Sequence, residues 1–138
     1  MFHILVVEDE KDTAEYVKQA LELEGMQADI AYDGQEGLAM FRSKEYDLLL
    51  LDLQMPKMTG EELLKEIRKE NPYIDIIVYT NFERFGDIKK LVNMGINGYV
   101  NKGPNADLGE LVDMIKGKLE PLDEEDMIRL IKSTDEIK

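Results

Sequence analysis

Five residues with charged or hydroxyl side chains lie where short apolar segments of this chain end. They are Glu8, Asp9, Asp52, Thr80 and Lys102. Together they offer three carboxylates, one hydroxyl and one ammonium. Carboxylates that lie close together repel one another unless a cation joins them, and a hard divalent metal prefers such oxygen ligands. A phosphoryl group is the second ligand that this set of side chains indicates.

The chain alternates short apolar segments with longer amphipathic ones. We predict strands at residues 4–7, 27–32, 48–51, 74–79 and 98–100, and helices at residues 10–24, 35–43, 61–70, 84–94 and 106–118. Glycines follow two of the helices, as is common at helix C-termini. The four consecutive leucines of 48–51 are typical of a central parallel strand that is covered on both faces.

Five successive strand–helix units predict an α/β fold with a doubly wound, five-stranded parallel sheet and helices on both of its faces. In such sheets, ligands bind beyond the carboxyl ends of the strands. The five residues named above follow or end four of the predicted strands. We therefore expect them to converge at one edge of the sheet.

Composition excludes several classes of function. With 17 basic and 30 acidic residues, the formal net charge is −13, which opposes direct nucleic-acid binding and docking to an anionic membrane. The chain has no cysteine, so disulfides and thiolate metal sites are excluded. The single histidine, His3, is expected to be structural or to lie at an exposed strand start. No apolar segment is long enough to span a membrane and no signal peptide is evident, so we expect a cytoplasmic location.

The 138 residues suffice for one compact domain. We assign residues 1–119 to this domain. Residues 120–138 carry seven acidic and three basic residues and a helical stripe of apolar side chains. This acidic segment is interpreted as an additional C-terminal helix or as a linker to an output domain.

Four motifs resemble the receiver domain of two-component response regulators, including the chemotaxis-protein-like receivers. They lie at residues 6–10 (VVEDE), 51–60 (LDLQMPKMTG), 79–80 (YT) and 98–102 (GYVNK). The resemblance extends over roughly residues 2 to 118, with the motifs in the family's order and spacing. It implies a flavodoxin-like strand order, 2-1-3-4-5, and a phospho-accepting signalling module that is not a dedicated enzyme.

The resemblance also implies roles for individual residues. Asp52 would accept a phosphoryl group from a phosphohistidine on a sensor histidine kinase or a histidine phosphotransfer protein. Asp9, Asp52 and, through a water, Glu8 would hold Mg²⁺ or Mn²⁺, together with the backbone carbonyl of Gln54. Lys102 and the Thr80 hydroxyl would bind the phosphoryl oxygens. Catalysis of this kind rests mainly on positioning and electrostatics.

Further roles concern the read-out and the partners. Movement of Thr80 and inward rotation of Tyr99 would alter the surface of helix 4, strand 5 and helix 5, through which the protein could also dimerise. An unknown output domain or protein would read this surface. Gln54 and Phe82 flank the approach of water and would tune hydrolysis of the phosphoaspartate. Three residues of the first helix, Thr13, Tyr16 and Ala20, would dock the kinase.

Two departures from the family's usual pattern leave alternatives open. Asn81 follows Thr80 where the family usually has Ala or Gly, and Gly103-Pro104 follow Lys102 where many receivers have Pro directly. A pseudo-receiver that uses the fold only for protein contacts is therefore the alternative function. A haloacid-dehalogenase-type phosphatase is disfavoured because Gln54 stands where its acid would be. An FMN-binding flavodoxin is disfavoured because acidic residues 8–10 would repel the phosphate.

Overall fold

A computed structural model describes residues 1–55, 57–80, 85–102 and 108–120 of the chain. The strands are β1 (His3–Val7), β2 (Gln27–Ala31), β3 (Leu48–Leu51), β4 (Asp75–Thr80) and β5 (Gly98–Asn101). The helices are α1 (Lys11–Leu23), α2 (Gly34–Ser43), α3 (Gly60–Glu70), α4 (Phe85–Asn93) and α5 (Leu108–Leu119).

The five strands form one parallel sheet in the order β2-β1-β3-β4-β5. This order and the alternation of strands with helices confirm the predicted flavodoxin-like α/β fold. The central strand β3 is buried along its whole length, in agreement with its run of leucines. A parallel strand with helices over both faces has no polar side to expose.

Alternate residues of the strands pack into two core layers, one on each face of the sheet. The first layer lies between the sheet and the two helices α1 and α5, and is called the α1–α5 layer. It includes Ile4, Val6, Leu48 and Leu50 together with helix residues Val17, Leu21, Leu111 and Ile115. The second lies between the sheet and helices α2, α3 and α4, is called the α2–α4 layer, and includes Leu49 and Leu51 together with helix residues Leu38, Leu63, Leu64, Ile67 and Leu91. Because side chains of a strand alternate between its faces, each strand supplies both layers.

The observed strand boundaries differ from the predicted ones by at most one residue. Strand β2 ends at Ala31 rather than Tyr32, since Ala31 pairs with Val7 and accepts the hydrogen bond from the Glu8 backbone nitrogen at 2.9 Å. Strand β4 begins at Asp75 rather than Ile74 and includes Thr80. The strand therefore carries its hydroxyl residue within the sheet and not beyond it.

His3 is a structural residue at the amino-terminal edge of the sheet. Its Nε2 lies 2.9 Å from Asp29 Oδ2, and its ring centroid lies 4.7 Å from that of Tyr46. The Tyr46 hydroxyl donates to the same Asp29 oxygen at 2.8 Å, and Lys44 Nζ lies 3.3 Å from it. This cluster joins β1, β2 and the segment before β3.

The predicted boundary at residue 119 stays a prediction, although α5 ends there. The acidic segment beyond it lies outside the described residues, with only Glu120 within them. No helix among the described parts of the chain is long and apolar enough to cross a membrane.

Candidate functional site

The charged residues of the site continue rows of core side chains on the α1–α5 side of the sheet. Each stands two positions after a strand residue of that layer. The core residues are Val6, Leu50 and Val100, and the charged residues that follow them are Glu8, Asp52 and Lys102. Strand alternation therefore directs all three side chains to the same face, at the carboxyl edge of the sheet.

Lys102 joins two buried carboxylates. Glu8 is 3% exposed and Asp52 is 6% exposed. The Lys102 ammonium donates to Glu8 Oε1 and, at 3.0 Å, to Asp52 Oδ2. Its backbone nitrogen donates to the Thr80 carbonyl at 2.8 Å, which fixes the start of the segment after β5. The ammonium thus supplies a cation that two carboxylates need at this depth.

The environment separates the pKa values of the two buried carboxyl groups. Burial raises the pKa of Glu8 to about 8, and its hydrogen bond with Asp52 adds to this against the opposing effect of Lys102. Burial also works to raise the pKa of Asp52, but the hydrogen bond from Glu8 and the Lys102 charge outweigh it and lower that pKa. The two pKa values are therefore moved in opposite directions, upward for Glu8 and downward for Asp52.

Three carboxylates at this edge fit a hard divalent cation. Glu8, Asp9 and Asp52 each offer an oxygen within 4.8 Å of the others. Glu8 Oε2 is buried and has no hydrogen-bond partner among the described residues, while Asp9 is exposed to solvent. Oxygen donors of this number and charge suit Mg²⁺. The backbone nitrogen of Gln54 donates to Asp52 Oδ1 at 3.2 Å, and this bond orients the carboxylate.

Thr80 and Tyr99 belong to the opposite face of the sheet. Thr80 is completely buried, and its Oγ1 has no hydrogen-bond partner among the described residues. A buried hydroxyl in this condition is costly, so a ligand that accepts its proton would be stabilised. Tyr99 is half-buried against the α2–α4 layer, next to Val78 of β4.

A groove of about 300 Å³ lies beside the site on the α1–α5 side. Its walls are formed by Asp12, Thr13, Tyr16, Val17, Tyr79 and Leu108. Two of the expected docking residues, Thr13 and Tyr16, line this groove. The third, Ala20, instead packs against the core and is half-buried. Its position two turns of helix along from Thr13 places it away from the strand ends.

Tyr79 is a member of the site that the sequence reasoning missed. It is 8% exposed, and the Lys102 ammonium lies 5.6 Å from the centre of its ring. Alternation along β4 was the signal that could have found it, because Tyr79 follows Ile77 of the α1–α5 layer by two positions. Of the other expected or questioned residues, Phe82, Asn81 and Gly103 lie outside the described residues.

Comparison with known proteins agrees with this geometry. Residues 4–116 match the response regulator receiver domain. The chain is 35% identical over 119 residues to response regulator ArlR of Staphylococcus saprophyticus, which covers 86% of this chain and 53% of ArlR. It is 36% identical over 104 residues to the transcriptional regulatory protein DltR of Streptococcus agalactiae, which covers 75% of this chain and 46% of DltR. The chain thus spans about half the length of these curated relatives.

Solved structures give the same assignment. Response regulator protein TrrA from Thermotoga maritima, in complex with Mg(2+)-BeF, is 36% identical with a TM-score of 0.76 and coverage of 86% of this chain and 99% of TrrA. A CheY-like receiver domain protein from Methanospirillum hungatei is 32% identical with a TM-score of 0.81 and coverage of 87% and 94%. The sheet order, the acidic edge and these matches establish that the chain belongs to the response regulator receiver domain family, whose members are phospho-acceptor signalling modules.

Proposed function

We propose that Asp52 accepts a phosphoryl group in a Mg²⁺-dependent reaction. A carboxylate oxygen of Asp52 forms a bond to phosphorus while the bond from phosphorus to the donor's imidazole nitrogen breaks, and that nitrogen keeps the electron pair. The observation that carries the proposal is the buried Asp52 side chain, 3.0 Å from the Lys102 ammonium and grouped with the carboxyl groups of Glu8 and Asp9. Positioning and charge are the main requirements of such a transfer.

Within this proposal, Glu8, Asp9, Asp52 and the Gln54 carbonyl hold Mg²⁺, and Mn²⁺ can take its place. When bound, the cation would neutralise negative charge as an anionic phosphoryl group approaches the three carboxylates. Lys102 binds one phosphoryl oxygen through its ammonium. The Thr80 hydroxyl donates to another, which would satisfy a buried oxygen that has no hydrogen-bond partner within the described parts of the chain.

The donor in this proposal is a sensor histidine kinase or a histidine phosphotransfer protein. The groove on the α1–α5 side, with Thr13 and Tyr16 in its walls, is the proposed docking surface. Tyr16 is 67% exposed, so its ring is accessible to a partner. Exposed aromatic side chains beside a depression commonly anchor protein contacts. The named relatives, among them a transcriptional regulatory protein, support an output that controls transcription.

The read-out is proposed to pass through Thr80 and Tyr99 to the surface of α4, β5 and α5, which could also form a dimer. Thr80 pairs with Asn101 in the sheet, and Tyr99 lies on the same strand as Asn101. The Thr80 hydroxyl therefore lies on the strand next to the one that carries the Tyr99 ring. An output domain or protein would bind the altered surface.

Hydrolysis of the phosphoaspartate is proposed to be tuned by Gln54 and Phe82. The Gln54 side chain is exposed next to Asp52, where it can flank the path of an attacking water. Phe82 stands two positions after Thr80 in the sequence, and we expect it to hinder that water. The Phe82→Ala variant should lose its phosphoryl group faster than the native protein in a time course after donor removal. An unchanged rate would count against this role.

Intact-protein mass spectrometry with acetyl phosphate and Mg²⁺ tests the central proposal. We expect a mass gain of one phosphoryl group that disappears in Asp52→Asn and on addition of EDTA. Borohydride reduction should then mark Asp52 in the tryptic peptide 45–57, in which fragmentation distinguishes it from Asp47. Absence of any gain, with correctly folded protein, would instead favour the phosphorylation-independent pseudo-receiver.

A further inference from the structure

The Tyr79 ring makes a cation–π contact with Lys102. The ammonium nitrogen lies 5.6 Å from the ring centre, within the range of such contacts. The Lys102 side chain is 11% exposed and Tyr79 is 8% exposed, so water screens the contact little. Attraction between a cation and a ring face strengthens as water is removed.

The backbone of β4 and β5 builds this contact. Tyr79 pairs with Val100 in the parallel register, and Lys102 follows Val100 by two positions, on the same face of the sheet. The Lys102 backbone nitrogen also donates to the Thr80 carbonyl at 2.8 Å. The pairing of β4 with β5 therefore brings the ring close to the ammonium. The side-chain torsions of Lys102 are the remaining freedom that a contact has to restrain.

A neutral ring restrains the ammonium without adding negative charge. Glu8, Asp9 and Asp52 already place three carboxylates at the edge, and an incoming phosphoryl group is itself anionic. A fourth carboxylate would oppose that group, whereas the Tyr79 ring does not. A tyrosine hydroxyl is uncharged at neutral pH, and burial raises the pKa of Tyr79 further.

We propose that Tyr79 is a positioning residue for Lys102, and that its ring holds the ammonium in place as it exchanges the Asp52 carboxylate for a phosphoryl oxygen. The inference rests on the proposed function and assigns a residue that acts through Lys102. The carboxylate contacts change during the reaction, since Asp52 Oδ2 and the phosphoryl group compete for the same ammonium. The ring contact remains throughout.

Two variants separate the ring from the hydroxyl. Tyr79→Phe keeps the ring face, and Tyr79→Leu keeps an apolar side chain but removes the ring. With acetyl phosphate and saturating Mg²⁺, we expect Tyr79→Leu to be phosphorylated about fivefold more slowly than the native protein, and Tyr79→Phe within about twofold of it. Mg²⁺ affinity should stay within about twofold in both, because the carboxylates are unchanged; a merely structural defect at the sheet edge would weaken it as well.

A double-mutant cycle shows whether the effect passes through Lys102. In a Lys102→Met background, Tyr79→Leu should slow phosphorylation no further. Thermal unfolding of each variant verifies that it is folded. A native rate in Tyr79→Leu, an equal loss in Tyr79→Phe, or a further loss in the Lys102→Met background would each overturn the proposal.

A second measurement does not depend on phosphorylation. Proton chemical shifts of the Lys102 side-chain methylene groups should carry a ring-current contribution in the native protein and in Tyr79→Phe, and should lose it in Tyr79→Leu. If the native protein takes up no phosphoryl group, the proposed function fails, and these shifts still decide whether Tyr79 holds Lys102. Shifts that do not respond to Tyr79→Leu would overturn the contact itself.

Discussion

Lys102 brings a positive charge to the two buried carboxyl groups of the site. Its ammonium contacts both Glu8 and Asp52. Burial works to lower the pKa of Lys102, but its hydrogen bond to Glu8 and the charge of Asp52 outweigh this and raise it. The lysine therefore remains charged, and any divalent cation must compete with it for the same oxygens.

Substitution of Lys102 by Met should affect phosphorylation and metal binding in opposite directions. Without the ammonium, phosphorylation by acetyl phosphate should slow at least about tenfold, since a phosphoryl oxygen loses its charged partner. Mg²⁺ should bind with higher affinity, because its competitor has gone. The metal-free variant should be about 3–5 kcal/mol less stable, since two buried carboxyl groups lose their cationic partner. Calorimetric titration and urea unfolding measure these quantities.

Lys116→Met is the matched control for this variant. Lys116 also pairs with a glutamate, Glu24, at 3.1 Å, but both side chains are well exposed to solvent. Exposed pairs contribute little to stability, so the control should lie within about 0.5 kcal/mol of the native protein. A Lys102→Met variant with weaker Mg²⁺ binding would contradict the view that lysine and metal compete.

At the amino-terminal edge of the sheet, Asp29 should make the stability of the fold depend on pH. Burial works to raise the pKa of Asp29, but hydrogen bonds from Tyr46 and Lys44 and the nearby His3 outweigh it and lower that pKa. A carboxyl group whose folded pKa lies below its unfolded value stabilises the fold above the unfolded value, about 3.9, and this contribution is lost as pH falls through the folded pKa. Asp29→Asn should thus cost about 1 kcal/mol at pH 7 and progressively less below pH 4.

Urea unfolding at pH 7 and at pH 3 measures this difference. Asp113→Asn on α5 is the control, because Asp113 is exposed and has no hydrogen bond to another side chain in the described part of the chain. Its substitution should change stability by less than about 0.5 kcal/mol at either pH. A cost of Asp29→Asn that grows towards acid would contradict the assigned direction of the pKa shift.

At the scale of elements, the first turn of α3 packs directly against the end of β3. A Cβ atom on Gly60 would lie 2.5 Å from the Asp52 carbonyl oxygen and 2.5 Å from the Leu53 Cα. Thr59 caps this helix through a capping box with Glu62, so the helix start is fixed in place. The helix thereby sets the position of the backbone that carries Asp52, the proposed phospho-acceptor.

Gly60→Ala should therefore destabilise the protein by about 2–4 kcal/mol, since both atoms in its way belong to the backbone. Gly117→Ala is the control: it has the same chemistry, lies within α5, and has no atom within 4 Å of the added Cβ. That substitution should stabilise the protein by about 0.5–1 kcal/mol, because alanine favours helix. Equal effects of the two changes in denaturant unfolding would refute the close packing at Gly60.

The sequence was sufficient to predict the elements and their order, because hydrophobic period and glycine positions are local signals. Leu48–Leu51 is an example: four buried leucines required helices on both faces, and the sheet places β3 between β1 and β4. The strand ends were predicted to within one residue. The exact end of β2 depends on pairing with β1, which local sequence does not encode.

Contacts between elements were not predictable in the same way. The pairing of His3 with Asp29 depends on the register of β1 against β2, and no spacing in the sequence reports it. Lys57 adopts a left-handed backbone conformation with φ 66°. The residue type does not predict this conformation, because a positive φ is uncommon for residues other than glycine. The contact between Tyr79 and Lys102 followed from strand alternation together with sheet order, but only once both were known.

At the scale of the whole molecule, the net charge of −13 attracts cations of every kind. General screening by salt stabilises such a chain by reducing repulsion among its carboxylates. The proposed binding of Mg²⁺ at Glu8, Asp9 and Asp52 would add a separate contribution, because it would stabilise only the folded state in which these oxygens meet. The effect of screening does not depend on any single residue, whereas the effect of Mg²⁺ binding depends on the residues of the acidic edge.

Mg²⁺ should raise the free energy of unfolding by about 2.7 kcal/mol at a free concentration 100-fold above its dissociation constant. NaCl of matched ionic strength should give only the smaller effect of screening. Asp9→Asn removes an exposed ligand without disturbing the buried pair, so it should lose most of the response to Mg²⁺ and keep the response to NaCl. If Asp9→Asn responded to Mg²⁺ as strongly as the native protein does, the stabilisation would arise from the charge of the whole molecule, and the acidic edge would not be its binding site.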